Sequence, residues 1–163
     1  MTGKDKPDIL KILKNTPEFE PDEVVIAEEV IDSYLHDPAG SGYHILVAEI
    51  GSFPVGYVCY GATPLTKGTW DIYWMAIDPK EQARGIGKTL LLSAENNIKD
   101  NQGRLILIET SSKPIYEKAR RFHKSRGYKL ICRISDFYAP GDDKLIFQKR
   151  LSKTTKPPKS LPR

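Results

Sequence analysis

Cysteine is nearly absent from this chain: among 163 residues only Cys59 and Cys132 carry a thiol, and they lie far apart. Structural zinc sites draw on closely spaced pairs such as Cys-x-x-Cys, so no metal is expected. Long apolar runs are missing too. None approaches the roughly 20 residues that span a bilayer, and Met1-Thr2-Gly3-Lys4-Asp5 lacks the apolar stretch of a secretion signal. These absences point to a cytoplasmic protein with reduced thiols and no membrane contact. Net charge is only +4, and much of the excess sits in Lys153, Lys156, Lys159 and Arg163, so nucleic acid is not expected as a partner. What is present, 39% apolar and 28% charged residues, suits one globular domain over 1–151, with a helical part at 8–36 and a core at 43–151. Residues 152–163, rich in Lys, Pro, Ser and Thr, are expected to form a flexible basic tail.

One glycine is missing from a place where it would matter. Gly87-Lys88-Thr89 resembles the end of a Walker A loop, which needs a further glycine five residues earlier; that position is Gln82, which argues against this phosphate cradle. The stretch from Trp74 to Leu92 still reads as strand, phosphate loop and helix. Asp78-Pro79 ends an apolar run because proline pushes its predecessor out of the α region. Gly85 and Gly87 let the backbone bend and approach a ligand, and good helix formers follow from Lys88. The free amides of that helix start form an anion site that needs no particular side chain.

Elsewhere the periodicity alternates between helix and strand. Apolar residues at helical spacing predict a short helix before Pro17 and a longer one from Pro21 to about His36. Strands are predicted at 43–49 and 55–61, joined by a turn at Gly51-Ser52-Phe53-Pro54, and at 69–77. A helix to about Lys99, an apolar strand at 104–109 and a helix entered with Ser112 as N-cap follow. Two strands, at 128–134 and 144–151, flank a reversal spanning Asp136 to Asp143.

Gln82-Ala83-Arg84-Gly85-Ile86-Gly87 fits Gln/Arg-x-x-Gly-x-Gly/Ala at every fixed position and resembles motif A of the GNAT superfamily of acyl-CoA-dependent N-acyltransferases. Ala119-Arg120-Arg121-Phe122-His123-Lys124-Ser125-Arg126-Gly127-Tyr128 is similar to that superfamily's second motif, with His123 where a tyrosine is usual and Tyr116 where an asparagine is common. The resemblance covers roughly Tyr43 to Leu151. It implies an α+β fold, a mixed central β-sheet with helices on both faces, whose signature strand and next strand splay apart to admit pantetheine. It further implies that the backbone of Met75, Ala76 and Ile77 pairs with pantetheine, that Gln82 to Thr89 hold the pyrophosphate of acetyl-CoA, and that the acceptor is an amine. Because dimers are frequent in the superfamily, a homodimer is among the assemblies it implies.

Acetyl transfer needs a base, since amines of the lysine kind have a pKa of about 10.4. Asp71 stands at the offset where one branch of the superfamily carries its glutamate base, and strand alternation would put Asp71, Tyr73 and Met75 on one face. Glu109 is the second candidate. His123 is open to three readings: a working acid, a hydrogen-bonding placeholder beside the sulfur, or a solvated helix residue. Tyr138 is a candidate for lining the acceptor pocket. The enzyme reading competes with a non-catalytic acyl-CoA-binding regulatory or interaction domain, to which the missing tyrosine lends weight.

Overall fold

A computed structural model describes residues 1–151; the tail expected at 152–163 lies outside the described residues. Two helices come first, α1 (Lys6–Asn15) and α2 (Pro21–His36). The second starts with a capping box, in which the Glu20 amide donates to Glu23 Oε2 at 2.8 Å. Lys6 ties the helices together by ion pairs to Glu28 at 2.9 Å and Asp32 at 2.7 Å.

Strands β1 (Tyr43–Ile50), β2 (Phe53–Ala62) and β3 (Thr69–Ile77) form an antiparallel meander. Helix α3 (Ile86–Asp100) then crosses to β4 (Leu105–Ser111), which runs parallel to β3. After α4 (Glu117–Ser125) come β5 (Lys129–Ala139) and β6 (Asp142–Arg150), and the six-stranded mixed sheet has the order β1-β2-β3-β4-β6-β5.

Each face buries its own core, which is what places helices on both sides. Ile9, Leu13, Ala27 and Ile31 of α1 and α2 meet Ile45, Tyr57, Cys59 and Ala76. On the other face Leu90, Leu91, Ala94 and Ile98 of α3 meet Val58, Tyr60, Ile72, Ile106 and Phe147, with Phe122 of α4 packed alongside. No helix among the described residues is long and apolar enough to cross a membrane.

Two expectations need correcting. The reversal expected over Asp136–Asp143 is confined to Pro140 and Gly141, because β5 continues to Ala139 through an irregular pairing after Ile134. Ser112 does not cap a helix: its hydroxyl accepts from the Asp143 amide at 2.8 Å, stitching the end of β4 to β6, and a 3₁₀ turn at Pro114–Tyr116 precedes α4.

Candidate active site

The site begins where two parallel strands part. β3 and β4 pair from Thr69/Leu105 only as far as Ile72/Ile108. Beyond that point β3 continues to Ile77 alongside β2, and its other edge has no strand partner among the described residues. A cavity of about 1010 Å³ opens into this gap, lined among others by Met75, Ala76 and Ile77. An unpaired strand edge offers backbone donors and acceptors that an extended amide-bearing ligand can use as a neighbouring strand would.

The loop after β3 shapes one end of the cavity. Asp78 accepts from the Lys80 amide at 2.9 Å and starts a 3₁₀ turn at Pro79–Glu81. Gln82 is an anchor: its Nε2 donates to the Ile77 carbonyl at 3.3 Å while its Oε1 accepts from Lys118 of α4. Ala83 and Gly85 then take positive φ, 63° and 83°, and turn the chain into α3 without a side-chain cap. The first amide that enters the helical ladder is that of Thr89, donating to Gly85 O at 3.0 Å, so those of Ile86, Gly87 and Lys88 are left at the helix's positive end. At Gly87 a Cβ would make ordinary contacts, the nearest 3.5 Å from Met75 Cε, so packing does not demand glycine; its absence of side chain leaves cavity surface open. Within the expected set, Arg84 and Thr89 do not line the cavity; Arg84 pairs with Glu81, and the Thr89 hydroxyl bonds to the Gly85 carbonyl.

Alternation along β3 fails at one residue. Cys59 faces Trp74 and Tyr60 faces Ile72, so Tyr73 is a bulge. As a result Trp70 and Ile72 pack toward α3 while Trp74 and Ala76 pack toward α1 and α2, and Met75 and Ile77 turn back to α3. Asp71 and Met75 therefore lie on opposite faces, contrary to the shared face that alternation predicted. Asp71 is half-buried, lines the cavity and accepts from the Thr63 hydroxyl. Glu109, whose neighbour Ile108 faces α3, shares the α1/α2 face with Asp71, but its carboxylate is engaged by Lys144.

His123 lies across the gap on α4. It is 8% exposed, which eliminates the solvated reading. Phe122 and Tyr128 pack edge-on against the ring at centroid distances of 5.4 and 5.9 Å, its Nδ1 is buried without a hydrogen-bond partner, and burial pushes its pKa down to about 4. The ring is thus neutral at physiological pH, which removes it as a ready proton source and leaves it one N–H to donate. Tyr116, at the end of the 3₁₀ turn before α4, donates its hydroxyl to Glu23 Oε2 at 3.2 Å, joining that turn to α2 across the cavity. Burial, reinforced by Glu23, raises its pKa. Tyr138 does line the cavity, and burial with the charges of Glu109, Asp142 and Glu23 raises its pKa as well.

Sequence reasoning missed Glu18, Phe19, Glu23 and Asp142, all of which line the cavity. The capping-box spacing of Glu20 and Glu23 was a signal for a helix start, but nothing local indicates that this start and the end of β4 line one cavity. Among the described residues no cluster of His, Cys, Asp and Glu could hold a metal.

The family model described as the acetyltransferase (GNAT) family matches residues 7–128. The chain belongs to the GNAT acetyltransferase family. A GNAT-family structure from Desulfovibrio desulfuricans is 35% identical, with a TM-score of 0.89 over 92% of this chain and 94% of that one. The ribosomal-protein-S18-alanine N-acetyltransferase from Escherichia coli shares the fold at 15% identity, with a TM-score of 0.74 over 96% and 94% of the two chains. So does the PaiA N-acetyltransferase from Thermoplasma acidophilum in complex with coenzyme A, at 15% identity and a TM-score of 0.72 over 93% and 96%. No curated protein matches the chain. The GNAT fold thus accounts for the parted strands, and coenzyme A is a ligand of at least one protein that shares it.

Proposed function

We propose that this GNAT protein transfers the acetyl group of acetyl-CoA to a primary amine by direct attack in a ternary complex. The observation that carries this reading is the gap between β3 and β4, with an uncapped helix start at one end and carboxylates at the other. Pyrophosphate would bind the amides of Ile86, Gly87 and Lys88, and pantetheine would add to the free edge of β3 at Met75, Ala76 and Ile77. Asp71 is the base. Its position on the α1/α2 face lets it take a proton, directly or through a water, from an ammonium approaching from that side. The neutral amine attacks the thioester carbonyl and the C–N bond forms; as the C–S bond breaks the nitrogen releases its second proton to water, and CoA leaves as thiolate. His123, neutral at its depressed pKa, would donate one hydrogen bond toward sulfur, so the thiolate leaves without taking its proton from this residue.

The test is release of free thiol from acetyl-CoA with a panel of amines. Amine-dependent thiol release at rates above buffer hydrolysis is expected; acetyl-CoA binding without turnover across the panel would favour the non-catalytic acyl-CoA-binding alternative.

A further inference from the structure

We propose that the acceptor is a small aliphatic diamine or polyamine, whose second cationic group is held by carboxylates on the α1/α2 side of the cavity. The proposal rests on the acetyltransferase reading above and adds the substrate class. The cavity divides its charges. Lys88, Lys118 and Arg126 line the part near the loop and α4, where the one lining carboxylate, Glu81, is paired with Arg84. Glu18, Glu20, Glu23, Asp71, Glu109 and Asp142 line it too, on elements that lie away from that loop. Two of these carboxylates are balanced: Glu109 by Lys144, and Asp142 by Lys113 at 3.6 Å. The other four take part in no ion pair among the described residues.

What three of those four do instead is informative. Asp71 accepts from a neutral hydroxyl, and Glu23 accepts from the Glu20 amide and the Tyr116 hydroxyl. Glu18 keeps its Oε2 buried with no partner at all, a desolvated oxygen whose cost a bound cation would offset. Acetyl transfer consumes one carboxylate as the base for one amine. The remaining carboxylates have no part in that step, and an ammonium that stays protonated through the reaction satisfies them. The same field opposes an acceptor that carries a carboxylate.

Aromatic rings complete the fit. Phe19, Trp74, Tyr116 and Tyr138 line the cavity beside these carboxylates, giving an apolar wall for a methylene chain and ring faces for an ammonium. Tyr116, Tyr138, Glu23 and Asp142 all line this one cavity, and Tyr116 donates to Glu23 across it. A cavity of about 1010 Å³ that must also hold a pantetheine arm leaves room for a small molecule.

The experiment compares three acceptors with the same four-carbon chain: putrescine, butylamine and γ-aminobutyrate, which carry at the far end an ammonium, a methyl and a carboxylate. With acetyl-CoA saturating, kcat/KM should be about tenfold or more higher for putrescine than for butylamine, and lowest for γ-aminobutyrate. Glu18→Gln should narrow the putrescine-to-butylamine ratio, chiefly by raising the putrescine KM. Equal kcat/KM for the three acceptors, or a ratio untouched by Glu18→Gln, would overturn the proposal. If no amine releases thiol, the transferase reading is what fails. Putrescine binding to the CoA-saturated protein is then measured by calorimetry: binding weakened by Glu18→Gln supports the cation site, and no binding overturns it.

Discussion

The two ends of the cavity are built from different materials. At the loop end the groups proposed for recognition are backbone: amides at the start of α3 and the free edge of β3, set in place by the positive φ of Ala83 and Gly85 and by Gln82 anchored on Ile77 and Lys118. At the acceptor end they are side chains drawn from the α1–α2 connection, α2, β3, β4, β5 and β6. A backbone site tolerates loss of neighbouring side chains but not intrusion by a new one. A side-chain site can lose one function while keeping its shape.

The largest effect should come from intrusion. Gly87→Glu would aim a carboxylate past Met75 and Phe122 into the loop end and weaken acetyl-CoA binding by at least about 100-fold through like-charge repulsion, while the thermal transition stays close to wild type. Calorimetric titration decides it, and unchanged affinity would place the phosphate site elsewhere.

The next prediction concerns the buried imidazole between the ends. Its pKa of about 4 in the folded protein lies below the unfolded value of about 6.5, so the unfolded chain binds more protons across that window. Stability conferred by the neutral ring is complete above pH 6.5 and is lost as pH falls toward 4, by up to about 3 kcal/mol. In denaturant melts at pH 7 and pH 4.5, His123→Phe should lose less stability on acidification than wild type. A parallel pH dependence for the two proteins would show that His123 does not titrate as its burial implies. Smaller effects belong to the loop. Gly85→Ala places a Cβ at φ 83° and should cost about 1–2 kcal/mol of stability in the same melts. Lys88→Ala should change acetyl-CoA affinity by no more than about fivefold, since a solvent-facing charge contributes roughly 0–1 kcal/mol beside the amides.

The loop end was legible in the sequence because its signal is contiguous: a strand ending in Asp78-Pro79, two glycines, and a helix, all within twenty residues. The bounds of β3 were legible for the same reason, being set by Gly68 and Pro79. The facing of Asp71 was not, because the bulge at Tyr73 depends on how β3 lies against β2, and one extra residue reverses every side chain beyond it. Nor were Glu18 and Glu23, which line the same cavity as Glu109 and Asp142 only through packing of helices on the sheet. For His123 the sequence left a solvated position open beside two roles at the sulfur, because its helix, Glu117 to Ser125, is strongly charged; it is buried because Tyr128 and Phe122 enclose it.

The claim that the two ends are separable is tested most directly by Asp71→Asn, which keeps the shape of the side chain and removes the proton acceptor. Acetyl-CoA titrated into this variant should bind within about twofold of wild type, while amine-dependent kcat falls by about 100-fold. Loss of both together, or full turnover in Asp71→Asn with the fall appearing in Glu109→Gln instead, would contradict the account.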